Sequence, residues 1–394
     1  MPFFIKNINW SLCLSLNILK FAGFLIPETV NGFTRIVALA YWFFWFMFVV
    51  GTYIIVQVGE LIQVWGDVSL MVGTSFVLFS NMASGIKVIN LLLRKKAIQA
   101  LIDQAESDLR REDRRQGIQI IKRCDKETTW FIYGYLWLPG VTLLGLIFSS
   151  GKRELLISAW YPYDTSKSPG FEISYFHQVA GLLTGALFNI SLDTLVTTLM
   201  ALCRCRLRLL ALSLRTMGED LQLDQENIFT EEQEQKMKIR LRDCIQRHHE
   251  TLDSAVKIQK LFSIPIFTQF SVSSVIMCIT AYQLAIEVKQ HQVVRVISML
   301  AYLLCMITQV FLYCYQGHQL ADESSNIAYA AYECPWYACS IKFRRSLLLV
   351  MVRTRRVSQI TVGGLTPLSL TCFAAMIKAS YTFFTVLQQM EDRH

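Results

Sequence analysis

Apolar residues run through this chain in blocks of twenty or more, each long enough as a helix to cross about 30 Å of hydrocarbon. Seven such blocks are read, at 36–58, 68–93, 129–148, 171–203, 261–287, 293–316 and 365–389. The pattern predicts an all-α integral membrane protein. A shorter apolar segment near 335–352, flanked by Lys342, Arg344, Arg345 and Arg353, predicts a re-entrant or interfacial helix before the last span. Between the fourth and fifth spans, Leu241, Ile245, Leu252 and Val256, with His248 in the gap, recur at spacings near four. That pattern predicts helices continuing beyond the bilayer with an apolar stripe that must pack on something. A cytosolic anchor between subunits and packing within one subunit both satisfy it.

The last helix has two unlike faces. At about 100° per residue, Ala375, Ala379, Thr382, Val386 and Gln389 share one narrow stripe, while Phe373, Ile377, Tyr381 and Phe384 lie opposite. A helix facing only lipid has no use for a small, polar stripe. One facing its own copies around a water path does. Lys378 lies just off this stripe and is read as a structural lysine. Lys87, in the second span, is read as snorkelling to the cytosolic interface.

Charge adds orientation. The segment 94–126 carries ten Lys and Arg, 204–260 carries eleven and 342–356 carries six. The alternate loops hold none in 59–67, three in 149–170 and one in 288–292. Basic loops stay in the cytosol, which predicts an internal N-terminus and an external C-terminus, opposite to a G-protein-coupled receptor. The chain is read as one membrane domain. It comprises an N-terminal segment (1–35), spans 1–4 (36–203), a cytosolic helical anchor (204–260), spans 5–6 (261–316), a cytosolic or interfacial segment (317–362) and a pore helix (363–390). The stretch 1–25 is read as an amphipathic helix on the cytosolic face rather than a signal peptide, because it has no small-x-small cleavage site.

Composition agrees with this picture. The 394 residues are 53% hydrophobic and 17% charged, against about 25% charged in soluble domains, and the mean hydropathy is +0.37. The net charge of +8 follows from topology, and nucleic acid is not expected as a partner. None of the eleven cysteines falls in a predicted outer loop, so no external disulfide is expected. Cys203-Arg-Cys205 and the Cys334–Cys339 pair lack zinc spacing. His248-His249-Glu250 is not HExxH, and no nucleophile elbow or phosphate loop occurs. The chain is not expected to be an enzyme, and no cofactor or metal is called for. The sequons at Asn9 and Asn189 lie on the cytosolic side and inside a span, where neither is glycosylated.

Small, greasy ligands suit aromatic residues with few polar groups. Phe76, Phe79 and Ser80 in the outer half of span two, Leu144 and Phe148 in span three, and Phe176, His177, Gly181 and Thr184 in span four are candidate contacts, with Tyr282 and Tyr302 from spans five and six. For any single one of them, ordinary helix packing is the stronger reading.

Several motifs together resemble insect odorant receptors. They are Leu365-Thr366-Pro367-Leu368-Ser369-Leu370 with Phe373, Ile377-Lys378-Ala379-Ser380-Tyr381 and Phe384 at the C-terminus, Trp160-Tyr161-Pro162-Tyr163-Asp164, Glu323-Ser324, Ala331-Tyr332, Pro335-Trp336-Tyr337, and Leu19-Lys20-Phe21-Ala22-Gly23. The likeness spans nearly the whole chain. It implies an odorant-gated, non-selective cation channel in the plasma membrane of olfactory sensory neurons, with an odour-tuned subunit joining a shared co-receptor subunit in a hetero-tetramer. The expected partners are a small volatile ligand, permeant cations and the lipid bilayer. The resemblance further implies that the last helix lines the pore, with a gate at Val386, a polar ring at Gln389, and Thr382 and Ala379 on the same face. Gustatory receptors, the alternative, carry Thr-Tyr, five apolar residues, then Gln-Phe. Here Phe383 replaces the tyrosine, Gln388 interrupts the apolar run and Met390 ends it, which favours the odorant branch. The short second cytosolic loop implies a tuning subunit rather than the co-receptor.

Overall fold

The computed structural model describes residues 10–21, 51–66, 68–149, 155–222, 228–289 and 293–391, with a few isolated positions between 32 and 47. It contains α1 (Trp10–Phe21), α2 (Thr52–Gln63), α3 (Val68–Arg110), α4 (Arg115–Ser149), α5 (Gly170–Arg215), α6 (Glu231–Lys289) and α7 (Val293–Glu333). A 3-10 turn (Trp336–Ala338), α8 (Ile341–Thr354), the strands β1 (Thr361–Val362) and β2 (Thr366–Pro367), and α9 (Leu370–Glu391) complete it. Among the described residues, α3 to α7 are long and apolar enough to cross a membrane. The protein is an all-α integral membrane protein. Much of the span read at 36–58 before residue 51 lies outside the described residues, and α2 carries its end. The 22 residues of α9 make a rod about 33 Å long, enough for one crossing.

The helices greatly outrun the bilayer. With 59 residues, α6 extends about 90 Å at 1.5 Å per residue, roughly three hydrocarbon thicknesses. Beyond the bilayer it is held on its wet face by ion pairs one turn apart: Glu232–Lys236, Glu234–Lys238, Asp243–Arg247 and Asp253–Lys257. Each contributes only about 0.3–0.5 kcal/mol. Burial on the other face matters more. Met237, Leu241, Cys244, His248, Leu252, Ala255 and Ile258 are covered by the chain's own helices, chiefly α3, α5 and α7. Two residues assigned to that stripe from spacing, Ile245 and Val256, are instead exposed. The covered positions advance by a mixture of threes and fours, as a 3.6-residue repeat requires, so Cys244 and Ala255 take the places given to their neighbours.

The centre of the bundle is α5, buried almost without interruption from Phe188 to Leu207 and packed against α1, α3, α4, α6 and α7. The α1 helix docks there through Leu12, Leu16 and Leu19. Its first turn is capped by Asp125 of α4, which accepts from Trp10 N (3.0 Å), Ser11 N (2.9 Å) and Ser11 Oγ (2.7 Å). Arg204, Arg206 and Arg208, at the start of the segment read as a cytosolic helical anchor, lie on the extension of α5. They are partnered by Glu127, Asp108 and Glu323.

The final helix starts at Leu370, five residues later than expected. Gly363 (φ 59°) and Gly364 (φ 81°) occupy the left-handed region open to glycine and close a hairpin with Val362 opposite Thr366. Ser369 then caps α9, its hydroxyl accepting from Cys372 N at 3.1 Å. Turn and cap together displace the helix start.

Candidate functional site

Residue by residue, α9 separates into a packed and a bare side. Phe373 meets Phe311 of α7 edge-on, with ring centroids 5.6 Å apart. Ser380 is buried and donates to the Ser274 carbonyl of α6 (3.4 Å), and Met376 and Ile377 pack on the same core. Ala375, Ala379, Thr382, Val386 and Gln389 all lie on the exposed side. The Thr382 hydroxyl turns back to the Lys378 carbonyl (3.0 Å). Lys378 is exposed beside the stripe. Tyr381, placed on the far side from sequence, is also largely exposed. A bare, small and polar face on a membrane helix has no apolar match in lipid. Copies arranged around an axis would give it water instead.

At the opposite end of the bundle from the basic segments, His177 is clasped from two sides. Thr52 Oγ1 is 2.9 Å from its Nε2, and Tyr161 of the preceding loop is 3.0 Å from its Nδ1. Burial pushes the Tyr161 phenol well above its ordinary value, with nearby Tyr163 adding to the rise, so the hydroxyl keeps its proton and also donates to the Ser174 carbonyl (3.3 Å). The Tyr53 ring meets His177 edge-on at 5.8 Å and presses against Gly181, where an added Cβ would stand 2.9 Å from the ring. Trp160 folds over Gly59, fixing the loop as a cap.

Of the candidate ligand contacts, His177 and Gly181 meet at Tyr53. Ser80 lies within hydrogen-bond reach of Tyr302, Phe79 packs half-buried against the core, and Thr184 and Tyr282 are buried. Phe76 lies outside the described side chains. Leu144, Phe148 and Phe176 are 56%, 76% and 70% exposed and point out of the bundle, so they do not join the others. Sequence reading missed Tyr53. Its ring is 2% exposed, and its hydroxyl has no hydrogen-bond partner among the described residues. A buried hydroxyl left unpaired costs about 1–3 kcal/mol and is free to meet a polar atom of a ligand.

Deeper in the bundle, four helices converge on one carboxylate. Lys87 Nζ of α3 donates to Asp193 Oδ1 of α5 (2.5 Å) and to Asn189 Oδ1 (2.6 Å). Tyr313 of α7 donates to Oδ1 (2.8 Å), Tyr135 of α4 to Oδ2 (3.1 Å), and the Gln309 amide to Oδ2. Lys87 therefore does not snorkel to an interface. It is 3% exposed, as is Asp193, and two opposite charges satisfy one another inside the membrane domain. The signal was present as an acid deep inside span four, well past Glu172 in its first turn, and a lone base in span two, 106 residues apart.

Comparison with known proteins follows the same lines. A family model described as 7tm Odorant receptor matches residues 67–381. The chain is similar to Odorant receptor Or1 of Anopheles gambiae, 23% identical over 403 aligned positions covering 97% of this chain and 96% of that protein. It is also similar to Odorant receptor 2a of Drosophila melanogaster, 27% identical over 236 residues, and to Odorant receptor 10 of Aedes albopictus, 26% over 244. These two alignments span only 59% and 62% of the relatives' own length. Among solved structures, the olfactory receptor OR5 of Machilis hrabei in complex with eugenol shares the fold, with a TM-score of 0.81 over 96% of this chain and 97% of that one at 18% identity.

Proposed function

This chain belongs to the insect odorant receptor family, and from that premise we propose that it is the odour-tuned subunit of a ligand-gated, non-selective cation channel. In this reading it joins a shared co-receptor subunit in a tetramer, in the plasma membrane of olfactory sensory neurons, with its N-terminus inside and its C-terminus outside. The observation that carries the reading is the bare, small and polar stripe of α9. One chain leaves that stripe uncovered. Copies around a central axis turn it into a pore wall.

A small volatile ligand enters the capped region where His177 and Gly181 meet Tyr53, with Thr184, Phe79, Ser80, Tyr282 and Tyr302 as the further candidate contacts. Apolar and aromatic walls supply most of the affinity, and the Tyr53 hydroxyl offers a polar contact. Ligand shifts the channel only as far as it binds the open arrangement better than the closed one. α9 leans on α6 and α7, so rearrangement of those helices moves it. Displacing α9 outward widens the Val386 ring, which when narrow excludes water. Cations then pass along Thr382 and Gln389.

Current recording from cells expressing this chain with and without a co-receptor subunit, against an odorant panel, tests the proposal. Odorant-evoked cation current only on co-expression is the expected result. Full current from this chain alone makes it a homomeric, gustatory-type channel. Surface staining of an N-terminal tag on intact cells contradicts the orientation.

A further inference from the structure

The face of α4 that carries Leu144 and Phe148 out of the bundle has an ordered chemistry along its length. Lys122, Lys126, Tyr133, Trp137, Gly140 and Leu144 fall within about 60° of one another around the helix. From the basic end upward they run cation, cation, phenol, indole, bare glycine and aliphatic. Tyr133 and Trp137 are 48% and 73% exposed, and nothing stands within 4 Å of where a Gly140 Cβ would be. This helix is the barest of the five: 22% of its most apolar window is buried, against 89% for α5.

At the basic end the stripe opens into a cleft of about 720 Å³ between α1, the end of α3 and α4, its walls including Trp10, Leu109, Ile121, Trp130 and Tyr133. Its acids are already engaged. Asp125 caps α1 with three hydrogen bonds, and Glu112 holds Arg114 at 2.7 and 2.8 Å. Arg110, on the rim, is tied to Glu106. Lys122 and Lys126, one turn apart, have no ion-pair partner among the described residues and leave the cleft with a net positive charge.

We propose that this cleft and stripe form a binding site for an anionic glycerophospholipid. The phosphate and acidic headgroup sit between Lys122 and Lys126, the glycerol lies against Trp130 and Tyr133, and an acyl chain runs up the slot over Gly140 and Leu144. Dimensions agree. From Lys126 to Tyr133 the helix rises about 10 Å, the depth of a headgroup layer, and from Tyr133 to Leu144 about 16 Å, half of the 30 Å hydrocarbon. Aromatic residues at the level of Trp130 and Tyr133 mark the membrane–water boundary. The Trp10 indole donates to the Tyr133 hydroxyl (3.3 Å), so the same lipid braces α1 against α4. That anionic lipid reaches this end in the cell rests on the proposed orientation, which puts the basic end in the negatively charged leaflet.

Full-length protein in nanodiscs of symmetric composition, phosphatidylcholine with phosphatidylserine in both leaflets, removes dependence on orientation and on channel activity. Lipid retained after detergent extraction is read by native mass spectrometry for wild type and for the double variant K122Q/K126Q, whose substitutions lie on an exposed face and leave the core untouched. Selective retention of phosphatidylserine by wild type is expected, falling about 30-fold in the double variant at ~1 kcal/mol per lysine. Equal retention by both proteins overturns the site. Equal loss of the neutral lipid overturns recognition by charge. A second variant, Gly140→Phe, is expected to lower retention of long-chain phosphatidylserine while a short-chain form stays bound; identical loss of both overturns the acyl slot.

Discussion

Asp193 offers a sharp test because the two ends of its ion pair are supported unequally. Remove the charge of Lys87 with Lys87→Met, and the carboxylate still accepts from Tyr135, Tyr313 and Gln309. Hydrogen bonds to a charged group are worth about 1.5–3 kcal/mol each, so three of them offset much of the lost attraction. Remove the charge of Asp193 with Asp193→Asn, and the ammonium keeps only neutral acceptors, Asn189 foremost. Breaking a buried pair from one side costs about 3–5 kcal/mol. We expect Asp193→Asn near the upper end of that range and Lys87→Met lower by about 1–2 kcal/mol, from the difference in surviving partners. The double variant, with no uncompensated charge, recovers part of the loss, giving a coupling of roughly 1–3 kcal/mol. Heating the detergent-solubilised protein and measuring the fraction that still elutes as a monodisperse peak ranks the four proteins without assuming reversibility. A Lys87→Met protein as fragile as Asp193→Asn, or a double variant weaker than either, refutes the reasoning.

Val386→Ala in the assembled channel is expected to raise current without ligand, because a smaller ring wets more readily; whole-cell recording that stays silent rules Val386 out as the gate. Gly181→Ala drives a methyl into the Tyr53 ring at 2.9 Å, an overpacking of about 1–3 kcal/mol, and should raise the half-maximal odorant concentration at least fivefold in a dose–response series while ion selectivity is unchanged. Burial, with help from Arg353 and His249, pushes His248 down to about 4, so the folded state prefers its neutral form. Its contribution is full above about pH 6.5, the unfolded value, and is lost as pH falls toward 4, because the unfolded chain then binds the extra proton. Melting of the solubilised protein between pH 7 and pH 5 should show this slope, and His248→Leu should flatten it.

The bare stripe of α9 was legible from sequence because one helical period sorts small and polar residues from aromatic ones, and that helix contacts the bundle on only one side. No such contrast exists for Leu144, Phe148 and Phe176. Lipid and bundle interior are equally apolar, so hydropathy marks a residue as intramembrane without saying which way it points. The interior ion pair was hidden for another reason. Lys87 reads as interfacial until Asp193 is seen opposite it, and a sequence separation of 106 residues gives no local hint of that meeting. The start of α9 was misjudged because Leu365 and Leu368 look helical by hydropathy. Backbone chemistry, two left-handed glycines and a serine cap, decides the matter. Tyr53 went unnoticed because its meaning depends on Gly181, on another helix.

The length of α6 has a mechanical side. Pro265 interrupts it, removing one backbone hydrogen bond and dividing the rod into a long shaft packed in the polar half and a shorter arm of 24 residues ending at Lys289. The arm is about 36 Å long, so a tilt of 5° at the proline swings its tip by about 3 Å while the shaft stays still. Ser274, which holds α9 through Ser380, rides on the arm only nine residues past that pivot, where the same tilt moves it by about 1 Å. Such a tilt would make the rod a stepped lever, with a broad stroke at Lys289 and a fine one at Ser274, where α9 is held.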